Sequence, residues 1–335
     1  MVTINDVANA AGVAPSTVSY VISGKRSISP KTRRLVEESI RKLGYHPHAG
    51  ARALASSKTN VLALVVPLRT DLNVAVVMQF VASAVTAARA HDHDLLLLTK
   101  DEGPAALQRV ASSAIADALI VMDVEAADPR VPMLLALDRP VVLIGVPDHP
   151  AGLSSIDLDF TAAGSACVAH LARLGHRRIA LIGPSPAVYR RGTSYATRFL
   201  DGFDDAARRA GVRAISRSCN HSYEAASHTL DDLFAEEPGI TGLVVHNEAV
   251  LPALLSVLRN RGLTVPGDLS VVAVCPEAMA DQHVVALTTV AIPAEEVGKQ
   301  AVEMVVQRLN GHNTPEVRLL SPRLTEREST AAPHA

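Results

Sequence analysis

A chain of 335 residues with 48% apolar content is long enough for two or three domains and more than one buried core. No run of about twenty residues lacks charged or breaker residues, which excludes a membrane-spanning helix. The net charge of −2 conceals a basic head: residues 1–60 hold nine Lys/Arg against three acids, leaving −8 on the other 275 residues. That division suits an anionic polymer at one end only, although a solvated helical face would carry the same excess.

The first residues show helical spacing at Ile4, Val7, Ala8 and Ala11, with Thr3 and Asp6 placed for a capping box and Gly12 as the stop. A second short helix starts near Pro15, buries Val18, Val21 and Ile22, and ends at Gly24. Two helices joined by a tight glycine-containing turn follow the helix-turn-helix plan. A third helix opens on Ser29 and Pro30, carries Leu35, Val36, Ile40 and Leu43 on one face, and stops at Gly44. The start lacks the basic-then-apolar plan of a signal peptide, so the reading is a cytoplasmic protein without a membrane role.

Residues 46–60 form a linker of small and polar residues, too short in helix-forming character to hold a helix alone. From Val61 the pattern changes to short apolar runs alternating with amphipathic helices. Strands are expected at 61–66, 95–99, 118–122, 141–144, 179–182, 243–245 and 271–274, and helices include 79–90, 162–174, 198–210, 223–234 and 249–261. Continuous apolar strands joined by helices indicate parallel sheets covered on both faces. The expected fold class is therefore α/β, with a helix-turn-helix headpiece and two doubly wound lobes. Ligands in such sheets sit beyond the carboxyl ends of the strands, which directs attention to the loops after Val66, Ile182, Val245 and Val274. The isolated cysteines Cys167, Cys219 and Cys275 read as interior thiols.

The segments APSTVSYVISG at 14–24, KTRRLVEESIRKLGYHP at 31–47 and ARAL at 51–54 resemble the LacI/GalR family of bacterial repressors. GHRRI at 175–179, GLTVP at 262–266, LTTV at 287–290 and REST at 327–330 follow in that family's order and spacing. One such string is weak, but several in register along the whole chain are strong. The resemblance implies a homodimer with a DNA-binding headpiece (1–46), a hinge linker or helix (47–60) and a core similar to periplasmic sugar-binding proteins. Lobe one would take 61–160 and 291–320, lobe two 161–290 and 321–330, with 331–335 as a tail.

By the same resemblance the second helix enters the major groove, where Pro15, Ser16 and Tyr20 reach base edges and Thr17 and Ser19 contact phosphate. Thr3, Lys25, Arg26, Lys31 and Arg52 complete the expected DNA-contacting set. Leu54 is placed as a minor-groove wedge that kinks the central step. Partial packing of Tyr20 on the third helix, and of Leu54 in a dimer contact, are the plainer alternatives. A tyrosine where many relatives have arginine implies a different half-site, and Ala14 in the usual cap position costs the helix about 1 kcal/mol. The operator itself should be a near-palindrome.

For the effector, the aligned positions are Asn73, Asp159, Phe160, Arg198, Phe199, Asn247, Glu248 and Cys275, with Arg190, Arg191 and Tyr195 in the same region. Phe160, Phe199 and Cys275 depart from the family's common polar residues, which argues against a standard hexose. Three possibilities stay open: a modified or linked sugar, an anionic metabolite held by the arginines, or no physiological effector. No cofactor is expected. His91, Asp92, His93 and Asp94 alternate at a helix-to-strand corner and do not face one point, so no metal site is read there. An enzyme or a sugar-binding protein without a DNA role are the rival readings. GxGxxG, Walker, GxSxG and HExxH patterns are absent, and a plain sugar-binding protein would not need the basic head.

Overall fold

The computed structural model describes residues 2–23, 26–45, 58–100, 103, 107–108 and 115–334. Lys25, Arg52, Leu54 and most of the expected hinge lie outside the described residues.

Helices α1 (Ile4–Ala11), α2 (Pro15–Ser23) and α3 (Pro30–Leu43) form the headpiece. The capping box is present: Thr3 Oγ1 accepts from Asp6 N at 3.3 Å, and Asp6 Oδ2 accepts from Thr3 N at 2.8 Å. Gly12 closes α1 in the left-handed conformation at φ 63°, where a side chain would be strained. Ser29 Oγ caps α3 by accepting from Thr32 N at 3.2 Å. Val7, Ala8, Ala11, Val18, Val21, Val36 and Tyr45 make the small core that joins the helices.

Beyond the headpiece come β1 (Val61–Val65), α4 (Val74–Ala90), β2 (Asp94–Leu98), β3 (Ala118–Val121), α5 (Val131–Leu135), β4 (Val141–Ile144) and β5 (Ser154–Leu158). The chain then crosses into α6 (Phe160–Leu174), β6 (Arg178–Gly183), α7 (Pro186–Arg191), α8 (Ser194–Ala210), β7 (Arg213–Ser218), α9 (Tyr223–Glu236) and β8 (Gly242–Val245). It finishes with α10 (Leu251–Asn260), β9 (Ser270–Cys275), α11 (Glu277–Ala280), β10 (Thr288–Ala291), α12 (Ala294–Leu309), β11 (Val317–Leu320) and β12 (Leu324–Thr325).

The first sheet has the order β2-β1-β3-β4-β5-β11 and every pairing in it is parallel. The second repeats the plan as β7-β6-β8-β9-β10-β12, with only β12 antiparallel. Alternate residues of β1 serve opposite faces: Leu62 and Leu64 join the core under α4 and α12, while Ala63 and Val65 join the core under α5. This two-sided burial is why the strands read as continuous apolar runs. In both sheets the order reverses beside the second strand, so a crevice opens at β1/β3 in one lobe and β6/β8 in the other. Helices α6 and α8 touch backbone to backbone because Gly164 and Gly202 face each other's helix, where a Cβ would fall on the Phe199 and Thr161 carbonyl oxygens.

Of the described strands, five escape the apolar-run criterion: β5, β7, β10, β11 and β12. In β5 the sequence SSIDL is polar yet wholly buried, β7 is an edge strand reading RAISRS, and β10 reads TTVA. Helices α4 and α6 start earlier than expected because Asn73 and Asp159 act as their N-caps. Asn73 Oδ1 accepts from Ala75 N at 3.2 Å, and Asp159 Oδ1 from Ala162 N at 3.0 Å.

Candidate DNA-binding face and inter-lobe cavity

On the headpiece, burial of Val18 and Val21 leaves Pro15 and Ser16 exposed and Thr17, Ser19 and Tyr20 half-exposed along α2. The Arg26 guanidinium stands 5.7 Å from the centre of the Tyr20 ring, so a cation covers one face of the phenol. Lys31 is exposed at the start of α3. Thr3 is exposed but spends its hydroxyl on Asp6 Oδ2 at 2.8 Å, so its first duty is capping α1. Asp6 is held below the usual carboxylate range by these Thr3 hydrogen bonds.

Between the lobes lies a cavity of about 150 Å³. Lobe one supplies Val66, Asp71 and Asn73 after β1, Val76, Val77 and Phe80 from α4, and Met122, Asp123 and Val124 after β3. Asp157 of β5 and Phe160 add to the same wall. Lobe two supplies Pro184 after β6, Ser194 and Tyr195 at the start of α8, His221 after β7, and His246, Asn247 and Glu248 after β8. The lining thus comes from the carboxyl ends of strands in both sheets, which is where the topology opens them.

The corner between α7 and α8 clasps lobe one. Ala126 N donates to the Gly192 carbonyl at 2.7 Å, Ser194 N donates to the Val124 carbonyl at 2.9 Å, and Glu125 and Thr193 form an antiparallel bridge. Two ion pairs flank that contact: Arg191 Nη1 to Asp71 Oδ2 at 2.6 Å and Arg198 Nη1 to Asp157 Oδ2 at 2.9 Å. Arg198 Nη2 also donates to the Leu158 carbonyl at 3.2 Å. A third pair, Arg69 with Asp123, sits within lobe one.

Aromatic rings gather at one wall. Phe160 lies 5.5 Å from both Tyr195 and His246, and Phe199 packs 4.1 Å from His246 on the far side. Burial pushes His246 down to about 3, so the ring is neutral. Burial pushes the Asp157 carboxyl up to about 7 even though Arg198 pulls it down, and burial likewise raises Glu248. The Tyr195 hydroxyl is pushed up, first by burial and then by the Glu248 carboxylate. Among the described residues, His246 Nδ1, Ser194 Oγ and Asp123 Oδ1 are buried without hydrogen-bond partners, the kind of atom a bound molecule satisfies. Asp123 also has φ 55°, a strained value for a residue with a side chain, held at the end of β3.

Of the effector residues expected from the sequence, Asn73, Phe160, Tyr195, Asn247 and Glu248 line this cavity and five others do not. Asp159 is turned into its capping role. Arg190 is exposed outside the cavity, and its neighbour Arg191 takes the inward position. Arg198 is consumed by Asp157 behind the wall. Phe199 is fully buried behind His246, and Cys275 is buried with its Sγ 3.5 Å from Thr289 Oγ1. Asn247 lines the cavity while its Nδ2 braces the loops, donating to the Gly183 and Cys219 carbonyls at 3.1 and 2.8 Å. Sequence reasoning missed Asp71, Asp123, Asp157, Ser194 and His246. A signal was available for Asp123 and His246, polar residues just after an apolar strand, and none for Asp71, Asp157 and Ser194.

All three cysteines are free and buried. Among the described residues no cluster of three or more His, Cys, Asp or Glu is arranged to hold a metal ion, and no helix is long and apolar enough to cross a membrane. His93 Nδ1 instead donates to the His91 carbonyl at 2.6 Å.

A helix-turn-helix head joined to two parallel α/β lobes with a cavity between them defines a DNA-binding transcriptional regulator. Residues 3–48 match the family described as bacterial regulatory proteins of the lacI family, and residues 168–330 match a periplasmic binding protein-like domain. The HTH-type transcriptional regulator CelR of Thermobifida fusca is 30% identical, with 98% of each chain covered. A solved CelR–cellobiose complex superposes with a TM-score of 0.71 at 26% identity, covering 98% of this chain and 100% of that one. The lac repressor dimer bound to operator and the anti-inducer ONPF shares the fold with a TM-score of 0.85 at 24% identity, over 99% of each chain. The chain belongs to the LacI/GalR family of bacterial regulators.

Proposed function

We propose that this regulator acts in the cytoplasm as a homodimer on a near-palindromic operator, represses transcription there, and changes its operator affinity when a small sugar-like effector fills the inter-lobe cavity. It has no catalytic role in this reading. Pro15, Ser16, Thr17, Ser19 and Tyr20 face the major groove, Thr3, Lys25, Arg26, Lys31 and Arg52 support them on the phosphates, and Leu54 enters the minor groove.

The observation that carries the effector reading is the cavity itself, flanked by Asp71–Arg191 and Asp157–Arg198 and lined by buried polar atoms that have no partner among the described residues. The related CelR was solved with cellobiose, and a carbohydrate presents the mixture of apolar ring face and hydroxyls that such a lining suits. The pairing of Arg191 with Asp71 and of Arg198 with Asp157 weakens the support for an anionic metabolite, although Arg191 Nε and Nη2 have no partner among the described residues. A ligand that fits only the clasped arrangement shifts the lobes toward it, and the headpieces follow through lobe one.

The test is a mobility shift of purified protein on the DNA upstream of its own gene, with and without a panel of sugars, nucleosides and carboxylates. Specific retardation altered by at least one sugar is the expected outcome. Retardation that no compound alters would leave the DNA reading standing and remove the effector.

A further inference from the structure

From the charge and shape of the cavity we infer that the effector is a single-ring molecule bearing a positively charged nitrogen, an amino sugar being the simplest member, with its nitrogen set against Glu248. This rests on the reading of the cavity as the effector site.

Four carboxyl groups line the cavity, those of Asp71, Asp123, Asp157 and Glu248, and among the described lining residues there is no Lys or Arg. Arg191, Arg69 and Arg198 neutralise the first three from behind. Glu248 has no such partner among the described residues, so it is the one lining carboxyl without a counter-charge, and burial accordingly raises it. Burial of an unpaired carboxylate is unfavourable, and an ammonium group supplied by a ligand removes that penalty. An anionic sugar would meet four acids and no lining Lys or Arg, and a neutral sugar would hydrogen-bond Glu248 without supplying a counter-charge.

A second observation is independent of the charge count. Asp123 has a side chain only 6% exposed, and its Oδ1 has no partner among the described residues; Ser194 Oγ and His246 Nδ1, nearly fully buried, share that condition. These atoms call for N–H and O–H groups on the occupant. Phe160 and Tyr195, with ring centres 5.5 Å apart, both line the cavity, and aromatic rings there can stabilise an apolar ring side and an adjacent cation together. The cavity of about 150 Å³ matches the space that holds one six-membered ring, and is below the usual range for larger ligands.

Calorimetric titration of the full-length protein with glucosamine, galactosamine and mannosamine, against glucose, N-acetylglucosamine and glucose 6-phosphate, tests the inference. At least one amino sugar should bind about tenfold or more tightly than its neutral and anionic counterparts, and Glu248→Gln should reduce that preference by about tenfold. Arg190→Ala, at an exposed position outside the cavity, should retain it. Thermal melting of Glu248→Gln without ligand checks that the variant folds; if it does not, the wild-type series still decides. Tighter or equal binding of neutral sugars overturns the inference and leaves the effector reading intact. Absence of binding by every compound in both sets contradicts both.

Discussion

The headpiece and the inter-lobe cavity are built in opposite ways. The headpiece takes its caps, turns and core from residues close together in the chain, so its sequence is read almost as a local code. The cavity draws on residues from Val66 to Ile292, brought together only because two sheets with the same strand order open at the same place. A substitution in the headpiece should therefore change DNA binding and leave the core intact, whereas one at the cavity should alter core stability and ligand response together.

The largest effect should come from Arg198→Ala, which leaves the Asp157 carboxyl buried without its cation. Breaking such a pair costs about 3–5 kcal/mol, and a lowered thermal midpoint partly restored by adding Asp157→Asn would show it. Leu54→Ala should follow, with operator affinity falling by about 100-fold, or about 3 kcal/mol, while the core melts as before. Retention of operator affinity would end the wedge assignment and weaken the contrast between the regions.

A smaller effect belongs to His246. Burial holds its folded-state value near 3, so the unfolded chain binds the proton first and stability is lost as pH falls below the ordinary histidine range. At pH 5 this amounts to about 2 kcal/mol, which His246→Gln should remove. Asp157 acts in the other direction, because a carboxyl raised to about 7 gains stability as pH falls toward its unfolded value. Comparing wild type and His246→Gln at each pH cancels the contribution they share. Tyr20→Ala should weaken the preferred operator by about 1–2 kcal/mol and relax the base preference at one position of each half-site. Arg190→Ala should be the mildest, within about 0.5 kcal/mol in stability.

The same contrast explains what could be read from the residues. Thr3 and Asp6, Gly12, Ser29 with Pro30, and Gly44 announce the headpiece because caps and stops act within a turn of the helix they terminate. The two-sheet architecture was legible in the apolar runs of β1, β2, β3, β4, β6, β8 and β9. Strand β5 was not, since Ser154, Ser155 and Asp157 are buried polar residues whose placement depends on distant partners such as Arg198 and Arg308. At the cavity, the positions aligned by resemblance include the lining residues Asn73, Phe160, Asn247 and Glu248, and Tyr195 came from the neighbouring loop. It could not show that Asp159 would be turned into a cap, that Arg191 rather than Arg190 would face inward, or that Arg198 would be spent on Asp157. Those outcomes are set by tertiary packing at the corner where α7 meets α8.

The most direct measurement is selection of DNA from a random pool by the purified protein at near-physiological salt, followed by footprinting of the enriched sequences. Enrichment of a two-fold near-palindrome, protected across both half-sites and at its centre, is the expected result. Salt-erased binding with no enriched sequence would contradict the assignment of the basic head to operator DNA.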